Sequence, residues 1–166
     1  MNEIIDDIEL RTDLAKVTMK SVPDKPGAAS LIFSSLGEAG FNVDMIAQTG
    51  TVKERCDISF TIKADETDMV IEHLRQKLPE LSATGVLIDK NVAMLTIFGR
   101  ELIHTPGIAG KVFSILANKG INIEMISASL TMLSCLVSKD RAEEAKDAIR
   151  TEIKWKRLYT AQKILT

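Results

Sequence analysis

The stretch PGAASLIFSSLGEAGFNVDMI, residues 26–46, occurs a second time, without a gap, as PGIAGKVFSILANKGINIEMI at residues 106–126. Ten positions are identical between the two copies, which lie eighty residues apart, and Val43/Ile123 and Asp44/Glu124 keep their chemical character. Self-similarity at a fixed spacing indicates that one supersecondary unit is present twice. The repeat therefore predicts two small domains of about eighty residues each in the 166-residue chain.

Each copy is predicted to form a loop, a helix, a turn and a strand. Pro26 and Pro106 suit the first position of a helix, where a missing N–H costs little. Gly40 and Gly120 follow the apolar helical pattern at the place where a left-handed cap ends a helix. Apolar residues then continue as strands through residues 41–46 and 121–126.

The Pro-Gly loop before each helix has two interpretations. It presents backbone N–H groups beside the positive end of a helix, which is a favourable place for a carboxylate. It is also the normal start of a well-formed helix. In the first copy this loop carries Asp24, and the nearby Pro23 and Pro26 keep it stiff.

The first copy lies within a longer pattern of strands and helices. Alternation of apolar and polar residues predicts strands at Ala15–Lys20 and Cys56–Ile62, the second one preceded by a polar hairpin loop. Helical spacing predicts a helix from Thr67 to Leu78, ended by Pro79, and Val86–Ile88 is a last short strand. The first unit is thus predicted to be βαββαβ.

The second copy repeats this order. Strands are predicted at Ala93–Ile97 and Leu130–Val137, and a helix at Arg141–Arg150 with Asp140 as its N-cap. Trp155–Leu165 is a strand or an appended helix. The sequence therefore predicts an α+β fold of two ferredoxin-like βαββαβ units that pack together or pair between chains. Their predicted bounds are residues 15–90 and 91–166, with residues 1–14 as a linker or as an added strand of the second unit.

Composition excludes several classes of protein. A net charge of −2 with interspersed acidic and basic residues predicts neither a nucleic-acid nor a membrane partner. Cys56 and Cys135 have neither Cys-x-x-Cys nor Cys/His spacing, so we expect two buried thiols of a cytoplasmic protein and no zinc site. The longest uncharged run, Met125–Ser138, is too short to span a bilayer, and no basic segment of a secretory signal follows Met1. No cofactor is expected.

Four segments together resemble the tandem ACT domains of aspartate kinase. They are VPDKPG at residues 22–27, FNVDMIAQ at 41–48, DISFT at 57–61 and GINIEMIS at 120–127, and the match runs from about Ala15 to Ile149. The resemblance implies a regulatory module that binds threonine or lysine and gives feedback inhibition of aspartate phosphorylation. Nothing in the sequence resembles the catalytic kinase domain, and there is no Gly-rich loop of Walker type. The resemblance thus implies no enzyme activity of its own, and a regulatory subunit or fragment that acts on a catalytic domain or subunit.

The resemblance also implies where the effector binds. In the family the pockets lie between the first ACT unit of one chain and the second unit of its partner, which requires a homodimer. An Asp24 carboxylate can pair with an α-ammonium group, and the N–H groups of Ala28 and Ala29 can hold a carboxylate. The amide side chain of Gln48 or Asn122 can read a hydroxyl or an amine. The implied effector-binding residues are Asp24, Gly27, Ala28, Ala29, Gln48, Asn122 and Ile123.

Each of these residues also has a simpler interpretation. Asp24 is otherwise a loop or capping carboxylate, Gln48 a solvated strand end, and Asn122 a residue that serves its turn, as Asn42 does. His73 lies on a polar helix face, where we expect it to be solvated. His104 precedes the second Pro-Gly corner as a candidate contact.

Two departures from the family pattern concern the second unit. The family commonly continues Thr-Ser-Glu-Ile after Ile126-Ser127, whereas this chain continues Ala128-Ser129-Leu130-Thr131. Leu130 cannot replace the charge of a carboxylate. The second corner has His104 where the first has Asp24. The identity of the effector and the number of occupied pockets are therefore left open by the sequence.

Three alternatives compete with a regulatory module of aspartate kinase. The first is a stand-alone ACT-repeat sensor for another enzyme or a transcription regulator. An independent enzyme is disfavoured because the candidate catalytic groups have no motif spacing. An RNA-binding module is disfavoured because Phe41 and Phe60 are the main strand aromatics and there is no basic patch. The candidate catalytic groups are Asp24, Asp44, Glu124, Cys56, Cys135, His73 and His104.

Overall fold

The computed structural model describes residues 5–50, 52–102 and 104–153. The chain divides into two compact units, one formed by Arg11–Ala93 and the other by Met1–Leu10 together with Met94–Thr166. The strands are β1 (Asp7–Pro23), β2 (Ile46–Gln48), β3 (Arg55–Lys63), β4 (Gly85–Phe98), β5 (Ile123–Ala128) and β6 (Met132–Ser138). The helices are α1 (Ala28–Glu38), α2 (Thr67–Leu81), α3 (Ile108–Asn118) and α4 (Ala142–Glu152), and short 3₁₀ turns precede α2 and α4.

The Arg11–Ala93 unit has the strand order β2-β3-β1-β4, with β1 and β2 both antiparallel to β3. The register sets Val17 opposite Phe60 and Met19 opposite Ile58, so the apolar residues of the two strands share one face of the sheet. This face packs against α1 and α2, and Phe33 of α1 meets Phe60 edge to face at 5.4 Å. The unit is ferredoxin-like, as its sequence predicted.

The second unit is built in the same way and takes its fourth strand from the start of the chain. Its strand order is β1-β4-β6-β5, and the N–H of Asp6 donates to the carbonyl of Phe98 at 2.7 Å. Strand β5 is antiparallel to β6, with Ile126 opposite Cys135. The segment Asp7–Leu10 therefore forms a strand in this unit rather than a linker. Its fully buried side chains include Leu95, Ile97, Val112, Leu116, Leu136 and Ile149.

Both Pro-Gly corners are β-turns that precede their helices. The N–H of Ala28 donates to the carbonyl of Lys25 and that of Ile108 to Thr105, each at 3.3 Å. Gly27 and Gly107 have φ values of 93° and 83° with ψ near zero, as the third position of a type II turn requires. The prediction that each proline occupies the first position of its helix was wrong. The glycine after each proline has a left-handed conformation that cannot be part of the helix, so the helix begins only after that glycine.

Both helices end in the same hydrogen-bonded motif. Phe41 N–H donates to Leu36 O and Gly40 N–H to Gly37 O in the first copy, and Ile121 and Gly120 repeat these bonds after α3. Gly40 has φ +85° and Gly120 has φ +66°. These are the two bonds of a Schellman motif, and they confirm the predicted left-handed glycine caps.

Several predicted boundaries differ from those of the structure. Strand β2 starts at Ile46 rather than Phe41, because the hydroxyl of Thr61 accepts the N–H of Met45 and interrupts the regular ladder there. Helix α2 continues through Pro79 to Leu81, whose side chain is buried, and Ser82 ends it with φ +50°. A proline inside a helix removes one backbone hydrogen bond, and α2 continues for only two residues beyond it.

Two further boundaries were also wrong. The strands predicted at Val86–Ile88 and Ala93–Ile97 are one continuous strand, β4. Helix α4 begins at Ala142 after a 3₁₀ turn, so Arg141 rather than Asp140 occupies its cap position. The predicted element at Trp155–Leu165 lies outside the described residues. Within the part of the chain that the structure describes, no helix is long and apolar enough to cross a membrane.

Candidate functional site

Asp24 and Gln48 are brought together in the Arg11–Ala93 unit. Asp24 follows β1 and precedes the Pro-Gly turn, and Gln48 is the last residue of the edge strand β2. The side-chain Nε2 of Gln48 donates to Oδ1 of Asp24 at 3.4 Å, and both residues are exposed. The N–H of Asp24 donates to the carbonyl of Glu54 at 2.8 Å, which fixes the backbone that carries the carboxylate.

The start of α1 determines which backbone donors adjoin this pair. Ala28 donates its N–H inside the turn, to Lys25, and is half-buried. The N–H of Leu31 makes the first helical bond, to the carbonyl of Gly27 at 2.9 Å. Ala29 therefore stands before the first helical bond, at the positive end of the helix, and is exposed.

Cys56 and Gln48 lie on the same face of the sheet. Gln48 pairs with Ile58, so Cys56, two residues earlier in β3, belongs to the same face of the sheet. Its thiol is buried, and the side chain of Gln48 hydrogen-bonds to it. Burial, then the carboxylates of Asp24 and Asp57, raise the pKa of this thiol, and the bond from Gln48 lowers it. The sequence predicted that this thiol is buried but not that it contacts Gln48, although the alternation of β3 places the two side chains on one face of the sheet.

A tight hairpin turn at Val52-Lys53-Glu54-Arg55 carries the carbonyl that accepts the N–H of Asp24. Val52 and Arg55 exchange two backbone hydrogen bonds, at 2.8 and 3.1 Å. Lys53 and Glu54 both have positive φ, 51° and 59°, as a type I′ turn demands. This turn normally uses Asn and Gly, so two residues with long side chains make it strained.

A further residue with positive φ lies where β1 changes register. Ser21 has φ +53° in the irregularity between Met19 and Val22. Its N–H donates to Oδ1 of Asp57 at 2.8 Å, and Lys20 donates to the other oxygen of that carboxylate. The bond from Lys20, followed by that from Ser21, lowers the pKa of Asp57. Ser21, Arg55 and Asp57, with residues of the adjacent hairpin loop, line a concavity of about 370 Å³.

Asn122 and Ile123 belong to the unit that contains residues 94–166. Asn122 is exposed and follows the residue that closes the second Schellman motif, and Ile123 begins β5 opposite Val137. The corner of this unit has different chemistry, because His104 and Ala128 stand at the repeat positions of Asp24 and Gln48. His104 is exposed, and its N–H donates to Glu101 O.

His73 differs from its expectation as a solvated residue. It is half-buried, and its ring lies 6.1 Å from that of Phe41 in an edge-on arrangement. Its Nε2 is buried and makes no hydrogen bond within residues 5–50, 52–102 and 104–153. Over the same described residues, no group of three or more His, Cys, Asp or Glu side chains is arranged to hold a metal ion.

Two ferredoxin-like units, each with a Pro-Gly turn before its first helix, define a tandem α+β module. A model of the ACT domain matches residues 19–78 and 95–153, one match in each half of the chain. The chain belongs to the ACT domain family, and its relatives are aspartokinases.

Comparison with individual proteins identifies the corresponding part of those enzymes. The chain is 33% identical over 151 residues to the aspartokinase of Thermus thermophilus, and the match covers 90% of this chain but 37% of that protein. It therefore spans little more than a third of the curated relatives it matches. The ligand-free regulatory subunit of aspartate kinase from Thermus thermophilus superposes with a TM-score of 0.84 at 32% identity, covering 90% of this chain and 98% of that one.

A second structure, of aspartokinase alpha and beta subunits, gives a TM-score of 0.83 at 31% identity and covers 89% of this chain and 97% of that one. The part of the chain that these matches cover thus corresponds to the regulatory ACT part of aspartokinases.

Proposed function

We propose that this chain binds free threonine or lysine at the Asp24–Gln48 corner and thereby gives feedback control of aspartate kinase. The observation that carries the proposal is the 3.4 Å contact between Gln48 and Asp24, beside the start of α1. A carboxylate, a primary amide and the N-terminal end of a helix are three complementary partners for a free amino acid. The family membership gives this chemistry a regulatory context.

Each group of the effector has a partner in this arrangement. The α-ammonium group pairs with the Asp24 carboxylate, and the α-carboxylate accepts from the N–H of Ala29 at the helix start. Gln48, which can donate and accept, reads the hydroxyl or amine of the effector side chain. Because a zwitterion is strongly solvated and this corner is exposed, no single contact suffices, and several must be made at once.

Further contacts come from a second copy of the chain, whose Asn122 and Ile123 complete the pocket. The edge strands support such pairing, because Ile46 of β2 and Ile126 of β5 occupy the same repeat position and are 53% and 48% exposed. An exposed apolar side chain on an open sheet edge favours pairing with another strand. The dimer then joins a catalytic domain or subunit of aspartate kinase in the cytoplasm.

Regulation follows from a shift between conformations. An effector that bridges two chains binds one arrangement of the dimer more tightly than any other. If that arrangement disfavours the active kinase, effector binding shifts the population away from the active conformation by as much as the effector's affinities for the two arrangements differ.

Calorimetric titration of the wild-type chain with threonine and with lysine tests this proposal. We expect saturable binding of one or both and a severe loss of affinity in Asp24→Ala, since the ammonium group loses its counter-charge. Asp68→Ala is the matched control, because the Asp68 side chain is 94% exposed on α2. Unchanged affinity in Asp24→Ala would remove Asp24 from the site. Wild-type protein that binds neither amino acid would refute the proposal.

A further inference from the structure

Ser21 is held in a left-handed backbone conformation by two side chains. Its N–H donates to Asp57 Oδ1 at 2.8 Å. Arg55 Nε lies 3.0 Å from the carbonyl oxygen of Ser21 and 2.8 Å from its hydroxyl, and donates to both. Every polar group of Ser21 is thus engaged. A residue with a Cβ avoids φ +53° unless its surroundings impose it, so these bonds determine the conformation.

Arg55 also reaches the end of α2. Its Nη2 donates to the carbonyl of Ser82, the residue that ends this helix with φ +50°. A guanidinium group presents several donors in one rigid plane, so one side chain can join two backbone carbonyls that belong to different elements. Its positive charge also suits the negative end of a helix.

The conformation of Ser21 controls the position of Asp24. β1 resumes its pairing with β3 at Val22, opposite Cys56, and Asp24 follows two residues later. The carbonyl of Glu54, next to Arg55 in the strained turn, accepts the N–H of Asp24. The direction in which the chain leaves Ser21, and the turn that carries Arg55, therefore both determine where the Asp24 carboxylate stands relative to Gln48.

We infer that Arg55 is a positioning residue for the amino-acid site and joins that site to the C-terminal end of α2. The inference rests on the proposed function. Arg55 stabilises the conformation of Ser21, so that Asp24 contacts Gln48 in the ligand-free protein. The same side chain connects this corner to residues 82–85, so that ordering of the corner also orders those residues. It acts through Ser21 and the turn, without touching the ligand.

Titration with threonine and lysine separates this role from a general effect on folding. We expect Arg55→Gln to remain folded and to bind about ten-fold more weakly, which is the population penalty for a left-handed residue that has lost its support. Arg75→Gln, which removes an exposed arginine from α2, is the matched control and should bind like wild type. Equal affinities of Arg55→Gln and wild type would overturn the inference while leaving the proposed function intact.

A rescue variant tests the mechanism. Glycine adopts positive φ without strain, so Ser21→Gly combined with Arg55→Gln should recover most of the lost affinity. A loss that glycine does not recover would assign Arg55 to direct contact with the ligand and overturn the positioning role.

Hydrogen exchange tests the connection to α2. Saturating threonine or lysine should slow exchange of the amides at residues 82–85 in wild type and leave them unchanged in Arg55→Gln, with the ligand concentration raised to compensate for weaker binding. The same protection in both proteins would overturn the connection. If wild-type protein binds neither amino acid, the proposed function fails and this inference fails with it.

Discussion

Gln48 donates its side-chain amide to Asp24 at 3.4 Å, which is long for a hydrogen bond between an amide and a carboxylate. A ligand that binds Asp24 or Gln48 and breaks this hydrogen bond therefore loses little binding free energy. Each partner is then available for a different end of the same small molecule, which is the arrangement that recognition of a zwitterion needs.

Replacement of Gln48 by alanine should weaken effector binding by about ten-fold, or about 1.4 kcal/mol, because one hydrogen bond to the ligand is lost while the Asp24 ion pair remains. Titration calorimetry measures the change, with Gln76→Ala on the exposed face of α2 as control. An effect as large as that of Asp24→Ala would show that Gln48 acts mainly by holding the carboxylate.

Charged residues at the exposed edge positions should prevent dimer formation. Ile46→Glu and Ile126→Glu each place a carboxylate on an open edge strand, where it would be desolvated by a partner. Sedimentation equilibrium should show a loss of dimer, and effector affinity should fall in parallel because the pocket requires the second chain. Met69→Glu alters a similarly exposed apolar residue that lies on helix α2 rather than on a strand, and should leave both measurements unchanged.

Two glycines of the first repeat should respond to alanine in opposite directions. Neither a Cβ at Gly37 nor one at Gly40 would meet an atom within 4 Å, so packing does not contribute. Gly37 lies in α1, and Gly37→Ala should raise the free energy of unfolding by about 0.5–1 kcal/mol. Gly40 has φ +85°, and Gly40→Ala should lower it by about 1 kcal/mol or more. Urea denaturation measures both, and a shift of the same sign in both would refute the assigned cap.

The repeat predicted both Schellman glycines because each follows a helical apolar pattern at a fixed offset. It did not predict the turn before the helix, because a proline followed by glycine is compatible both with a first helical position and with a type II turn, and only the sign of φ at Gly27 separates them. The repeat also did not predict the residues that position Asp24. Ser21, Arg55 and Ser82 are far apart in sequence, and nothing in their local patterns indicates positive φ or a shared guanidinium group.

The type I′ turn at Lys53-Glu54 should be improvable. Replacing these two residues by Asn-Gly supplies the side chains that tolerate positive φ, and we expect the free energy of unfolding to rise by about 1 kcal/mol. Chemical denaturation of the variant measures the gain. The backbone carbonyl at position 54 is retained, so effector affinity should not change. A variant that gains no stability would mean that the turn is not strained in the folded protein.

The ion pair between Lys20 and Asp57 should make stability depend on pH in the acid range. The bonds from Lys20 and Ser21 hold the pKa of Asp57 below its usual value. The folded protein then binds this proton less readily than the unfolded chain, whose carboxyl titrates at about 3.9. The stability that the ionised Asp57 carboxylate contributes is complete above that pH. It is lost as the pH falls through the lower pKa that Asp57 has in the folded protein. Asp57→Asn should therefore destabilise the protein at pH 7 by a few tenths to about 1 kcal/mol, discounted for partial exposure, and by much less at about pH 2.5.

Denaturant titrations of wild type and Asp57→Asn at both pH values measure this difference. Asp68→Asn is the control, since its carboxylate is 94% exposed and lies 3.8 Å from Lys90, so its effect should be small throughout. In the Asp57→Asn variant the N–H of Ser21 can still donate to the side-chain amide oxygen of the substituted residue, so the comparison removes the ion pair with Lys20 and keeps the bond from Ser21. A destabilisation of Asp57→Asn that is equal at both pH values would assign the role of Asp57 to its shape and hydrogen bond rather than to its ionisation.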